Sequence, residues 1–126
     1  MGHLSTHVLD TTRGKPGVGI KLVVQRLHPD RRETVSTAIT NDDGRCDSPL
    51  LEGDAFIAGE YEIQFSVGDY LASASKNSNP QPDSKMASGP RFLDTVVIRF
   101  GVSNSDEHYH VPLLISPFAY STYRGS

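Results

Sequence analysis

Two imidazoles stand two residues apart in an apolar run near the C-terminus, His108-Tyr-His-Val-Pro-Leu-Leu-Ile115. Side chains on a strand alternate, so His108 and His110 share one face while Tyr109 and Val111 share the other. The segment Thr6-His-Val-Leu-Asp10 repeats the pattern, with His7 turned away from the side on which Val8 packs. His3 is close by, and His28 falls in a turn. A lone strand histidine is most often a half-exposed, hydrogen-bonded bystander, and it is the clustering that argues for chemistry. Two kinds of chemistry are open. His-x-His is a metal-ligand spacing, and His7, His108 and His110 would make a zinc-like trio, although neither segment brings a cysteine pair or an obvious carboxylate partner. The other kind is metal-free proton transfer. Arg45 follows the Asp43-Gly44 turn, where an arginine is ordinarily solvated or paired. Beside imidazoles, its guanidinium would disfavour their charged form, leave them able to take a proton from water, and hold a developing oxyanion.

Other nucleophiles fit less well. No Gly-x-Ser-x-Gly elbow is present, and Ser116-Pro117 reads as a strand running into a turn. Cys46 adjoins Arg45, but a buried, inert thiol is the expected state.

The elements that must carry these residues are strands. Residues 60–67 alternate Tyr61, Ile63, Phe65 and Val67 with polar positions, and residues 94–102 repeat the pattern with Val96, Ile98, Phe100 and Val102. Further strands are expected over 4–10, 20–27, 34–40 and 108–114, separated by Gly-, Pro- and Asp-rich turns. The five residues 103–107 are few enough to join the last two as a hairpin. One short helix is predicted over 69–76 with Asp69 as its cap. Residues 77–90, rich in Ser, Asn, Pro and Gly, read as a long mobile loop. Spacings of this kind suggest a sandwich. The run from Pro112 to Ile115 is expected to need cover from a partner subunit, and the closing Tyr123-Arg-Gly-Ser126 to be docked.

Composition narrows the functional classes. At 126 residues the chain is expected to be a single domain, 1–126. A formal charge of −3 provides no basic footprint for nucleic acid. The single cysteine excludes an intrachain disulfide, so a reducing, cytoplasmic setting is expected. The N-terminal segment has neither a long apolar run nor a basic leader, so no signal peptide or membrane span is expected.

Three blocks together, Leu4-Ser-Thr-His-Val-Leu-Asp10 with Gly14 and Pro16, Asn41-Asp-Asp-Gly-Arg45, and His108 to Ser126, resemble the transthyretin-related proteins. More narrowly they are similar to the 5-hydroxyisourate hydrolase branch, whose most specific mark is the closing Tyr-Arg-Gly-Ser. The hormone-carrier branch shares the Ser-Pro-aromatic-x-Tyr-Ser-Thr run but lacks that ending, the two histidines and the arginine. Gly17 stands where the family often has alanine. The resemblance implies a mainly β, transthyretin-like two-sheet β-sandwich with one short helix, and a homotetramer built as a dimer of dimers around a central channel, with sites at the subunit interface. It implies His7, Arg45 and His110 as catalytic residues, Tyr123, Arg124, Gly125 and Ser126 as substrate-binding residues, and neither metal nor cofactor. The reaction implied is hydrolysis of 5-hydroxyisourate to 2-oxo-4-hydroxy-4-carboxy-5-ureidoimidazoline in urate degradation. Two alternatives stand beside it: a transthyretin-like carrier of a small ligand, and a zinc-dependent cyclic amide hydrolase. His108 is expected at the sheet margin, paired with a carboxylate of the Asp106-Glu107 turn.

Overall fold

Alternation over six segments produces two facing sheets in the computed structural model, which describes residues 1–78 and 91–125. In chain order the elements are β1 (His3–Asp10), β2 (Lys15–Pro16), β3 (Lys21–Leu27), β4 (Arg32–Ile39), β5 (Leu51–Glu52), β6 (Gly59–Ser66), α1 (Val67–Ser78), β7 (Thr95–Val102), β8 (Tyr109–Ser116) and β9 (Ala119–Thr122). One sheet runs β2-β1-β8-β9, with β5 also paired to β1; the other runs β4-β3-β6-β7. Among the described residues the fold is a mainly β two-sheet sandwich with one short α-helix.

The core lies between the sheets. Leu4, Val8, Tyr109, Val111, Leu113 and Ile115 project inward from the first sheet, and Leu22, Val24, Tyr61, Ile63, Phe65, Val96 and Ile98 from the second. Burying these side chains is the main favourable term, about 1.5–3 kcal/mol for each large one. Thr6 is also buried, and its hydroxyl donates to the Val111 carbonyl at 2.7 Å, so it adds no unpaired polar atom.

Four expectations need correction. β7 and β8 do not form a hairpin. β7 is hydrogen-bonded along its length to β6 (Phe65↔Val96, Ile63↔Ile98), and residues 103–108 carry the chain across to the other sheet. The Tyr109 hydroxyl, accepting from the Ser103 N–H at 3.1 Å, tightens that crossing. Connection length alone does not separate a hairpin from an inter-sheet crossing. The helix begins at Val67, leaving Asp69 inside its first turn, because Val67 and Leu71 are buried and the Gly68 N–H is held by the Asp94 carbonyl. Leu113 and Ile115 are fully buried within the protomer and need no partner; only Pro112 and Leu114 of that run lie on the outer face. The fourth correction is an addition. β9, exposed at every residue, pairs with β8 although nothing in its pattern announces a strand. The loop expected over 77–90 lies for the most part outside the described residues.

One turn positions chemistry. Gly44 has φ of +76°, and a Cβ there would run into the Val8 carbonyl oxygen, so only glycine lets the 41–45 turn lie against β1. The Val8 N–H donates to the Gly44 carbonyl at 2.8 Å. Gly44→Ala is therefore expected to destabilise the protein by roughly 1–3 kcal/mol through backbone strain alone, with more from the clash. Urea denaturation of the two proteins checks this, and equal midpoints would contradict it.

Candidate active site

The outer face of the first sheet gathers the predicted residues. Along β1 that face carries His3, Ser5, His7 and Leu9, since Leu4, Thr6 and Val8 point into the core. β8 runs parallel to β1 with Ser5 opposite His110 and His7 opposite Pro112. Cross-strand partners share a face, so His7 and His110 are diagonal neighbours.

Arg45 joins them from the other side of β1. Its backbone forms a bridge to His7, which places the two side chains on one face. The Asn41 side chain holds the turn: Oδ1 accepts the N–H of Asp43 at 2.9 Å and of Arg45 at 3.2 Å. The Arg45 guanidinium enters no hydrogen bond or ion pair among the described residues. An exposed cation without a carboxylate partner is free to meet an anionic or carbonyl oxygen.

His110 is half-buried, and its Nδ1 lies 2.8 Å from Ser5 Oγ. Its pKa is held below the ordinary histidine value, first by burial and then by the positive charge of Arg45 and the neighbouring His7 and His3. The ring is therefore neutral at pH 7 and able to accept a proton.

The closing tetrapeptide divides between two faces. The β8–β9 ladder ends at Leu113↔Thr122, next to Pro112, which has no N–H to give, and resumes as a single bridge between His110 and Gly125. The Gly125 N–H donates to the His110 carbonyl at 2.8 Å, and a Cβ at Gly125 would stand 2.7 Å from His110 Cδ2. Glycine is what lets the tail lie against the imidazole. Arg124, one residue earlier, turns to the opposite side. Its guanidinium lies 4.0 Å from the Tyr109 ring centroid and donates to Glu107 Oε1 at 2.9 Å and to the His108 carbonyl at 3.1 Å. It clasps the tail to the start of β8 and does not point at the imidazoles. Tyr123 is exposed, and Ser126 lies outside the described residues.

His108 is at the margin as expected, but not paired with a carboxylate, because Glu107 is taken by Arg124. Its ring packs on His3, centroids 4.0 Å apart. The trio His7, His108 and His110 does not converge, and no group of three or more metal-ligating side chains is found among the described residues. Cys46 is half-buried, and burial followed by the charge of Asp47 pushes its thiol pKa up, the opposite of activation. Ser5 was passed over in the sequence, although its position two residues before His7 places it on the same strand face.

The imidazoles of His3, His7 and His110 are all partly exposed on this face. A cleft of about 200 Å³ reaches His3, Ser5 and Arg45 from the β5 side, but neither His7 nor His110 lines it.

Comparison with known proteins is consistent over the whole chain. The family model described as the HIUase/Transthyretin family matches residues 4–125. A protein named 5-hydroxyisourate hydrolase from Pseudomonas aeruginosa is 49% identical over 126 residues, covering 100% of this chain and 93% of its own. A solved structure of (S)-allantoin synthase superposes with a TM-score of 0.82 at 44% identity, covering 99% of this chain; the present chain spans only 44% of that longer one. Sea bream transthyretin in complex with thyroxine superposes with a TM-score of 0.78 at 25% identity, covering 97% of this chain and 93% of its own.

Removing a nearby positive charge makes protonation easier, so Arg45→Met should raise the His110 pKa toward its ordinary value without reaching it, since burial, the larger cause, remains. NMR titration of the His110 ring reads the shift; an unchanged midpoint would show that the guanidinium does not act on this imidazole.

Proposed function

The chain belongs to the HIUase/transthyretin family, and from that premise we propose that it is a hydrolase that opens the six-membered ring of 5-hydroxyisourate to give 2-oxo-4-hydroxy-4-carboxy-5-ureidoimidazoline, a step of urate degradation. The observation that carries this reading is the meeting on one face of three segments distant in sequence: His7 from β1, Arg45 from the Gly44 turn, unpaired among the described residues, and the neutral His110 from β8.

Water attacks the carbonyl carbon of the cyclic amide. One imidazole takes the water's proton, the carbonyl oxygen gains negative charge, and the Arg45 guanidinium holds that oxygen. The carbon–nitrogen bond then breaks, and the proton returns from imidazole to the departing nitrogen. The result is a carboxylic acid and a free amide nitrogen, with no metal or cofactor needed. His7 and His110 divide the proton transfers, and Tyr123 and the Gly125-Ser126 end border the substrate. Arg124 serves by holding that end in place.

An open face does not exclude water from a hydrolytic intermediate. In this reading the chain is one domain, 1–126, and assembles as a homotetramer, a dimer of dimers whose packed outer faces enclose a channel lined by the sites. Leu9, Phe118, Tyr120 and Tyr123 are large and exposed on the protomer, as surfaces awaiting a partner are. Among the described residues no helix is long and apolar enough to cross a membrane, and the protein acts in the cytoplasm. The alternative, a carrier of a small aromatic ligand, is favoured by the likeness to a thyroxine-bound transthyretin. It leaves the histidines and Arg45 without a task.

Urate with urate oxidase generates the unstable substrate in place, and its decay is followed spectroscopically. His7→Ala, Arg45→Ala and His110→Ala should each reduce turnover by about 10²–10³-fold while remaining folded. The pH profile should fall on an acid limb below the ordinary histidine pKa of about 6.5. Near-normal rates in all three variants, or a flat profile to pH 5, would exclude the mechanism.

A further inference from the structure

The ring of His110 is flanked on both edges that adjoin its Cγ. On the β1 side Ser5 Oγ stands 2.8 Å from Nδ1; on the tail side Gly125 lies against Cδ2, with its own N–H committed to the His110 carbonyl. A half-turn of the ring would bring a C–H edge to the Ser5 hydroxyl and press Nδ1 against Gly125, whose N–H, already given to the His110 carbonyl, offers neither a lone pair nor a free hydrogen. Both half-buried partners would lose a hydrogen bond. Ser5 Oγ makes no other hydrogen bond among the described residues. Its neighbour Thr6 offers a contrast: the Thr6 hydroxyl links β1 to β8 from the core face, on a backbone carbonyl. Two adjacent hydroxyls thus tie the same two strands, one to backbone and one to the imidazole.

We propose that Ser5 is a positioning residue that holds the His110 ring in one orientation, so that Nε2 is the nitrogen that exchanges protons at the site. This deepens the hydrolase reading and rests on it only for the kinetic outcome. A hydroxyl suits both halves of the cycle. When Nδ1 carries the proton, it donates to Ser5 Oγ, and Nε2 has a lone pair for the proton of the attacking water. The imidazolium so formed keeps its Nδ1–H on Ser5 and gives up the Nε2 proton to the leaving nitrogen. No proton need pass through Ser5. A carboxylate in its place would pull the ring toward the charged form, against the neutral state that the base requires.

The test uses the full chain with Ser5→Ala and Ser5→Thr. Long-range ¹H–¹⁵N correlation of the His110 ring, above its pKa and without substrate, reports which nitrogen is protonated and how fully. Wild type and Ser5→Thr should show the same ring nitrogen shifts, dominated by one state. Ser5→Ala should show shifts moved toward an average of the two tautomers. With substrate, Ser5→Ala should lower kcat by about 10-fold with KM within about twofold, and Ser5→Thr should recover most of it. Ring shifts unchanged in Ser5→Ala overturn the proposal whatever the kinetics do. Moved shifts with unaltered kcat overturn its functional half. A wild type inactive on 5-hydroxyisourate, with the shifts moving as expected, would remove the hydrolase reading and leave the ring assignment standing.

Discussion

Everything at the candidate site depends on the register of the parallel ladder between β1 and β8. Seven pairs, from Leu4↔Tyr109 to Asp10↔Ile115, set Ser5 against His110 and His7 beside Pro112. A slip of one residue on either strand would turn its imidazoles into the core and its Leu and Val residues into solvent. Hydroxyls pin the register on β1 and just beyond it: Thr6 donates to the Val111 carbonyl at 2.7 Å and Thr11 to the Ile115 carbonyl at 2.8 Å. The strands so joined come from opposite ends of the chain. Their pairing therefore has a large loop-closure entropy to overcome, and nonlocal pairing of this kind forms slowly. The apolar set that β1 and β8 bury together offsets that entropy, and the polar set on their other face is what the pairing delivers to function.

Charge is distributed with a clear division. Arg13 pairs with Asp10, Arg26 with Glu33, Arg32 and Arg99 with the buried Glu62, and Arg124 with Glu107. Arg45 meets no carboxylate among the described residues and stands at a turn whose geometry requires glycine at position 44. A cation near imidazoles is unfavourable for their protonation, and it adds to burial, the larger cause, in holding the His110 pKa below its ordinary value. In the proposed mechanism the same cation holds the developing oxyanion. Arg124 shows the opposite use of a guanidinium: stacked on Tyr109 and bonded to Glu107, it fixes the Gly125 end against His110. Both arginines are exposed, but among the described residues Arg124 has a carboxylate and an aromatic ring within reach and Arg45 pairs with neither.

Much of this was legible in the sequence where one physical signal dominated. Strands with one dry and one wet face, such as β6 with Tyr61, Ile63 and Phe65 inward, declare themselves by alternation. β9 could not, because all four of its residues are exposed and only hydrogen bonds define it. The β7–β8 hairpin failed for a related reason: a short connection permits either pairing or a crossing, and the choice is made by which sheet needs each strand's apolar face. Arg124 was grouped with the tail on the strength of the motif, yet counting alternation back from Gly125 puts it on the other face. Ser5 was missed because a serine between a leucine and a threonine carries no signal until β8 is laid beside β1. His7, Arg45 and His110 were found as a set by the family resemblance, while the geometry that unites them resides in pairings no local window contains.

The central claim is that the outer face of the first sheet, between Arg45 and Gly125, is where substrate sits. A crystal structure with a non-hydrolysable oxidised-purine analogue tests it most directly. The account predicts an analogue carbonyl within hydrogen-bond distance of the Arg45 guanidinium and the ring within reach of His110 Nε2 and His7, with the tail of the chain alongside. An analogue bound elsewhere, for instance in the apolar cleft lined by Ile98, Phe100 and Tyr109, with Arg45 and His110 facing only water, would contradict it.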